Sequence, residues 1–203
     1  MADQDVRSPE KERQILDGAA AAFAQDGYEG ASMSHIAAMA GVSKGTLYNY
    51  FDGKKELFSA FVQRECNQRL LLVFDELDSQ APAQAILLRV GRRILELMIS
   101  ETGLLTYRMV IAEAHKFPEL AEAFHEAGPR RAMTRLSTLI RQMSQAGQLD
   151  VPDPVFAAEQ LFALMTAGLV MRRRMGLVPS ASEAEIDHVV QEAVKLFLRG
   201  YGI

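Results

Sequence analysis

The stretch Ser32 to Leu57, SMSHIAAMAGVSKGTLYNYFDGKKEL, constrains this chain more than any other. It reads as two short helices joined by a tight turn, with a third helix starting behind them. Ser32 is a helix N-cap, since its hydroxyl can accept a backbone N–H bond from the first turn. Met33, Ile36, Ala37 and Ala40 recur at helical spacing and make one apolar face. Gly41 follows, where a helix exit calls for a left-handed residue. Val42 plugs the turn and Ser43 caps the next helix. Leu47 and Phe51, at i and i+4, face inward. The spacing leaves Lys44, Thr46, Tyr48, Asn49 and Tyr50 on the outer side.

That outer set offers a cation, two phenols, a small hydroxyl and an amide on a helix of about two turns. Such groups can serve phosphate oxygens and base edges. A helix-turn-helix lays its second helix in the major groove with the N-terminal residues on the bases. An ordinary helical hairpin with a polar outer face is the alternative, and the turn alone does not decide between them.

The run Ile36-Ala37, Ala40-Gly41-Val42-Ser43, Gly45-Thr46-Leu47-Tyr48, Tyr50-Phe51, Lys54 and Leu57-Phe58 closely resembles the DNA-binding domain of the TetR/AcrR family of bacterial regulators. The resemblance covers roughly the first quarter of the chain. It implies major-groove roles for Lys44, Thr46, Tyr48 and Asn49, and close backbone approach at Gly45. It also implies phosphate roles for Ser32, Ser43, Tyr50 and Lys54. The family usually has a capping serine where this chain has Gly53, so a looser start is expected for the helix that follows. Arg7, Lys11 and Arg13 are candidates for the DNA backbone, with a merely solvated face as the alternative for each.

Charge argues against this reading. The 203-residue chain carries a formal net charge of −4. Its first sixty residues hold nine acids against six cations. Specific binding can survive such a balance where helix N-termini and a few placed cations serve the phosphates locally. Composition otherwise sets the class. With 49% hydrophobic residues, abundant Ala, Leu, Glu, Gln and Arg, and little strand-like alternation, the chain reads as all-α. One cysteine, Cys66, cannot form an internal disulfide, which fits a cytoplasmic location. It reads as a small core residue, with a redox-sensing thiol as the alternative. The N-terminus is polar and does not read as a signal peptide. The apolar run Leu161 to Met171 is too short to span a bilayer, so no membrane partner is expected.

Along the chain, a disordered arm is expected over residues 1 to about 8, then a first helix to Asp26. The helix from Lys54 is expected to reach about Leu77, roughly 35 Å at 1.5 Å per residue, a lever joining a head of residues 1–53 to a body of residues 54–203. Further helices are expected over 83–100, broken by Thr102-Gly103, then 104–116, 119–127, and 129–146 after a break or kink at Gly128-Pro129. The stretch Arg108 to Leu120 resembles, more weakly, the ligand-binding half of AcrR-like proteins. A helix over 155–175 is apolar nearly all round, and the last, over 183–200, is wide-faced. Such surplus apolar surface suits a two-fold dimer interface, to which Phe156, Leu161, Leu169, Val170, Ile186, Val190, Ala193 and Phe197 are assigned. Packing of one subunit's own core is the alternative.

No catalytic or metal-binding constellation is legible. His125-Glu126 lacks the second histidine of a metalloprotease helix, and no cofactor is expected. The C-terminal methionines could line an adaptable pocket or simply fill the core. The resemblance implies a repressor binding a palindromic DNA operator as a homodimer and released by a small-molecule effector of unknown identity, with an efflux or detoxification gene as target. A ligand-independent regulator or activator on the same fold is the second reading. A helical enzyme or binding protein is the third.

Overall fold

The computed structural model describes residues 8–78 and 80–203. The expected arm over 1–8, and Arg7 within it, lies outside the described residues apart from Ser8. The chain is all-α: α1 Pro9–Gly30, α2 Met33–Met39, α3 Lys44–Tyr50, α4 Lys54–Phe74, α5 Ala83–Ile99, α6 Glu101–Glu113 and α7 Pro118–His125 come first. A π-helical turn, Glu126–Arg130, then leads to α8 Arg131–Gln145, α9 Pro154–Thr166, α10 Leu169–Arg174 and α11 Glu183–Tyr201. The one β-type pairing among the described residues is an isolated antiparallel bridge between Leu149 and Gly202.

The chain forms two compact units, Met1–Cys66 with Met109–Ala127, and Asn67–Arg108 with Gly128–Ile203. The division does not fall at Gly53. Leu57, Phe58, Phe61 and Val62 of α4 are buried in the first unit. Phe58 meets the ring of Phe23 edge-on at 5.4 Å and that of Tyr28 at 5.1 Å. Phe117 packs on the other side of Tyr28 at 5.2 Å. Such edge-to-face rings bury large apolar area in a favourable quadrupole geometry. The first turns of α4 are therefore core of the head rather than the start of the body.

Helix α1 meets α2 at closest approach through Gly18. A Cβ at that position would stand 2.4 Å from the Ala40 Cα and 2.5 Å from its Cβ. Only a glycine lets the two backbones meet there. Gln14, one turn earlier, donates from Nε2 to the Ala40 carbonyl at 2.7 Å. Near the other end of α1, Gly27 has φ 70° and ψ 179°, so the helical path breaks after Asp26 and resumes for one turn to Gly30.

The second unit is built on α5, α8, α9 and α11, with Leu87, Leu95, Leu136, Ile140, Leu161 and Met165 among its buried side chains. Several expected boundaries move. The break after α5 lies at Ser100, not at Thr102-Gly103. Ser100 is extended, and its hydroxyl accepts the Gly103 N–H at 3.1 Å, so Thr102 and Gly103 fall inside α6. Gly128-Pro129 does not end the helical path, because the π turn absorbs the missing proline N–H. The helix expected over 155–175 divides at Ala167-Gly168, where Thr166 Oγ1 bonds back to the Phe162 carbonyl at 2.8 Å.

The dimer assignment needs a larger correction. Leu161, Leu169, Val170, Ile186, Val190, Ala193 and Phe197 are all buried in the second unit's own core. The helices are more one-sided than their composition suggests, and each turns its most regular apolar stripe inward. Of the eight residues, only Phe156 is exposed, at 53%. The exposed apolar side chains on the same helices are others, among them Val155, Leu164 and Leu196.

Replacing Gly18 by alanine should destabilise the protein by about 1–3 kcal/mol, the usual cost of overpacking, because the obstructing atoms are backbone. Chemical denaturation followed by circular dichroism measures it. An unchanged midpoint would mean that α1 and α2 separate freely.

Candidate nucleic-acid interface

The local sequence builds α2 and α3 as caps and an apolar stripe require. Ser32 accepts the His35 N–H at 3.1 Å, and Ser43 accepts the Thr46 N–H at 3.0 Å. Each satisfies one of the donors that a helix N-terminus leaves unpaired. Gly41 takes φ +64°, the left-handed exit expected of it. The Val42 N–H then closes on the Ala37 carbonyl at 3.0 Å. Leu47 is fully buried and Phe51 nearly so, which anchors α3 from behind.

The outward strip of α3 consists of Lys44, Gly45, Tyr48 and Asn49, all exposed. Tyr48 is 51% exposed. Lys44 has no carboxylate partner among the described residues, so its charge faces outward unpaired. Ser32 and Ser43, exposed at the starts of α2 and α3, keep a hydroxyl that can donate beyond the cap it accepts. Thr46 is half-buried, and its hydroxyl is shared with that of Ser43 at 2.8 Å. It supports the first turn more than it extends the strip.

Two expected site residues lie elsewhere. Tyr50 is buried, at 6% exposure, and its hydroxyl oxygen accepts the Ser8 N–H at 2.8 Å. Its placement was legible, because Leu47, Tyr50 and Phe51 stand at i, i+3 and i+4 on one face. Lys54 is half-buried and donates from Nζ to the Glu29 carbonyl at 2.9 Å, with its charge 4.7 Å above the Tyr28 ring. Burial holds its pKa below the ordinary lysine value, with Glu113 and Glu29 pulling the other way. As placed, Lys54 fastens the start of α4 to the end of α1.

Gly53 leaves no loose start to α4. Glu56 reaches back and accepts the Asp52 N–H at 2.7 Å, one residue before the cap position, and so holds the turn that leads into α4. Glu29 binds the Lys116 ammonium at 2.6 Å, which lowers the Glu29 pKa and raises that of Lys116. Sequence reasoning missed both, because neither partner lies in the motif. Lys11 is held by the Gln14 side chain at 2.9 Å, while Arg13 is exposed. Several charges of this unit are thus paired within the scaffold, while Lys44 on α3 stays free.

The C-terminal residues 85–203, more than half of the chain, match the profile of the AefR-like transcriptional repressor C-terminal domain. Residues 15–61 match the tetR family of bacterial regulatory proteins. The chain belongs to the TetR family. A TetR-family transcriptional regulator from Mesorhizobium loti superposes with a TM-score of 0.90 at 30% identity, over 98% of this chain and 100% of that one. The flavonoid-responsive regulator FrrA superposes with a TM-score of 0.83 at 29% identity, over 96% and 98% of the two chains. A helix-turn-helix transcriptional repressor of Mycobacterium tuberculosis is 28% identical over 187 residues, 91% of this chain and 93% of that one. TetR proteins are DNA-binding transcriptional regulators and not enzymes, and this chain is one of them. No helix among the described residues is long and apolar enough to cross a membrane.

The caps make a direct test of how this TetR head is built. Ser43→Ala should lower stability by about 1 kcal/mol, and Ser43→Asp, which restores an acceptor, should recover most of it. Urea denaturation of the three proteins measures this. Equal midpoints would show that α3 does not depend on its cap.

Proposed function

We propose that this TetR protein is a cytoplasmic repressor that grips a palindromic DNA operator as a homodimer and lets go when a small molecule binds its second unit. The observation that carries the reading is the exposed strip Lys44, Gly45, Tyr48 and Asn49 on a helix braced by buried Leu47, Tyr50 and Phe51. Lys44, Tyr48 and Asn49 are the base-reading groups, and Gly45 lets the backbone approach. Thr46 acts at the same turn through its link to Ser43. Ser32 and Ser43 serve phosphates beside the positive ends of their helices. Tyr50 and Lys54 act on the backbone only indirectly, by setting where α1 and α4 begin.

Dimerisation is assigned to the exposed faces of α9 and α11, through Val155, Phe156, Leu164 and Leu196. Repression is favoured by the related repressor of M. tuberculosis, and a response to a small molecule by the similarity to the flavonoid-responsive FrrA. Helix α4 is the path between effector and head. It runs unbroken from Lys54 to Phe74, and Arg93 of α5 donates to the Asp75 carbonyl just past its end at 2.7 Å. The resemblance to AcrR makes an efflux or detoxification gene the first target to examine.

Selection from random duplexes should return a palindrome with half-site centres about 34–36 Å apart or a multiple of that. Lys44→Ala and Tyr48→Ala should each weaken binding to the selected duplex by about 1–3 kcal/mol without loss of fold. Unchanged affinity in both would remove α3 from the groove. The assembly has its own test. Phe156→Glu with Leu196→Glu should give a folded monomer in light scattering, whereas Val190→Asp should unfold the second unit, because Val190 is core. A double variant that stays dimeric would place the interface elsewhere.

A further inference from the structure

Helix α10 ends in three consecutive arginines, Arg172, Arg173 and Arg174, and Arg108 of α6 lies against them. Arg108 donates from Nε to the Arg174 carbonyl at 3.0 Å and from Nη2 to the Arg173 carbonyl at 2.8 Å. Arg173 donates to the carbonyls of Val178 and Pro179, and to that of Ile99 at the end of α5. A cation at a helix C-terminus closes open carbonyls and meets the negative end of the dipole. The fold thus accounts for Arg108 and for the terminal nitrogens of Arg173, whose Nε is buried without a partner.

It does not account for Arg174. Its guanidinium carbon lies 3.6 Å from the Tyr107 ring centroid, and its Nε is buried with no hydrogen-bond partner. No carboxylate or carbonyl among the described residues accepts from it. Burial holds its pKa below the usual arginine value, and Tyr107 works against that shift. The acids at the start of α11 are occupied, Glu183 and Asp187 by Arg92, and Glu185 by the Ser182 N–H and hydroxyl. A buried donor without an acceptor is costly and rare in folded proteins. Next to it in the chain, Met175 and Leu177 are 65% and 67% exposed, so the charge borders open apolar surface.

We propose that Arg174, braced on Tyr107, binds the carboxylate of a small molecule whose apolar body lies on Met175 and Leu177. This names the chemical class of the effector and so rests on the reading that the protein answers to one. A guanidinium presents parallel N–H groups that fit the two oxygens of a carboxylate. Stacking on a ring fixes its plane before the ligand arrives. An alcohol of the same length can fill the apolar surface but not the fork.

The test is calorimetric titration of decanoate, 1-decanol and inorganic phosphate into the full-length protein without DNA. Decanoate should bind about tenfold or more tightly than 1-decanol, since tenfold corresponds to about 1.4 kcal/mol and one charge-assisted pair exceeds that. Phosphate, which has no apolar body, should bind more weakly than decanoate. Arg174→Gln should erase the preference for acid over alcohol, and Arg174→Lys should keep only part of it. Tyr107→Ala reaches the same point from the ring side, should Arg174→Gln fail to fold. Equal binding of acid and alcohol by the unmutated protein would overturn the proposal, as would an unchanged preference in the folded Arg174 or Tyr107 variants. Operator affinity of ligand-free Arg174→Gln should equal that of the parent protein. A parent protein that selects no operator would count against the DNA reading and leave this site standing.

Discussion

The head depends on one close backbone approach. Gly18 of α1 and Ala40 at the end of α2 meet where no side chain could fit, and Gln14 ties the same carbonyl to α1. That contact sets the position of α2, and the left-handed turn at Gly41 then carries the chain into α3. Where the exposed strip of α3 stands follows from where this turn is held. The aromatic cluster of Phe23, Tyr28 and Phe58 fixes the start of α4 against the other end of α1. A short helix such as α3 is marginal in isolation, so its order comes from this packing and from its serine cap.

The same unit resolves the difficulty posed by its acidic composition. Most of its charges work inside the scaffold. Lys54 lies over Tyr28, Lys116 pairs with Glu29, Lys55 lies 3.5 Å from Glu119, and Arg64 binds Asp17. Exposed pairs of this sort add little stability each, but each neutralises an acid of the unit locally. Local placement therefore matters more for a nucleic-acid surface than the net charge of −4. Two helix N-termini, two serines and one free lysine gather on one side of a turn.

In the second unit, apolar composition sets an amount of surface but not its direction. Helices α9 and α11 do carry more apolar residues than a single stripe needs. The residues with the cleanest helical spacing, such as Leu161, Val190 and Phe197, are the ones the unit's own core takes. What remains outside is the irregular remainder, Val155, Phe156, Leu164 and Leu196. Periodicity finds the face that is buried in one chain, and a second chain would have to use what is left over. Half-buried arginine shows the same limit from the polar side. Arg173 and Arg174 are neighbours in an ordinary basic run, yet one closes carbonyls and the other lies on a ring.

The sequence by itself determined the helical class, the family, the caps at Ser32 and Ser43, the left-handed Gly41 and the bounds of α3. These are local properties, set by residue type and by neighbours within one or two turns. Tyr50, expected on the outer side, is buried instead, although its i+3 spacing from Leu47 already places it on the inner face. Only the tertiary structure decided that Lys54 folds onto Tyr28 and that α4 begins inside the head. It also decided that Ser100, not Thr102-Gly103, separates α5 from α6, and which residues of α9 and α11 stay exposed. Apart from the local Ser100 cap, these depend on a partner distant in the chain, as Lys54 does on Glu29. A long side chain can satisfy its charge in several ways, and the choice is made by which partner the packing brings within reach.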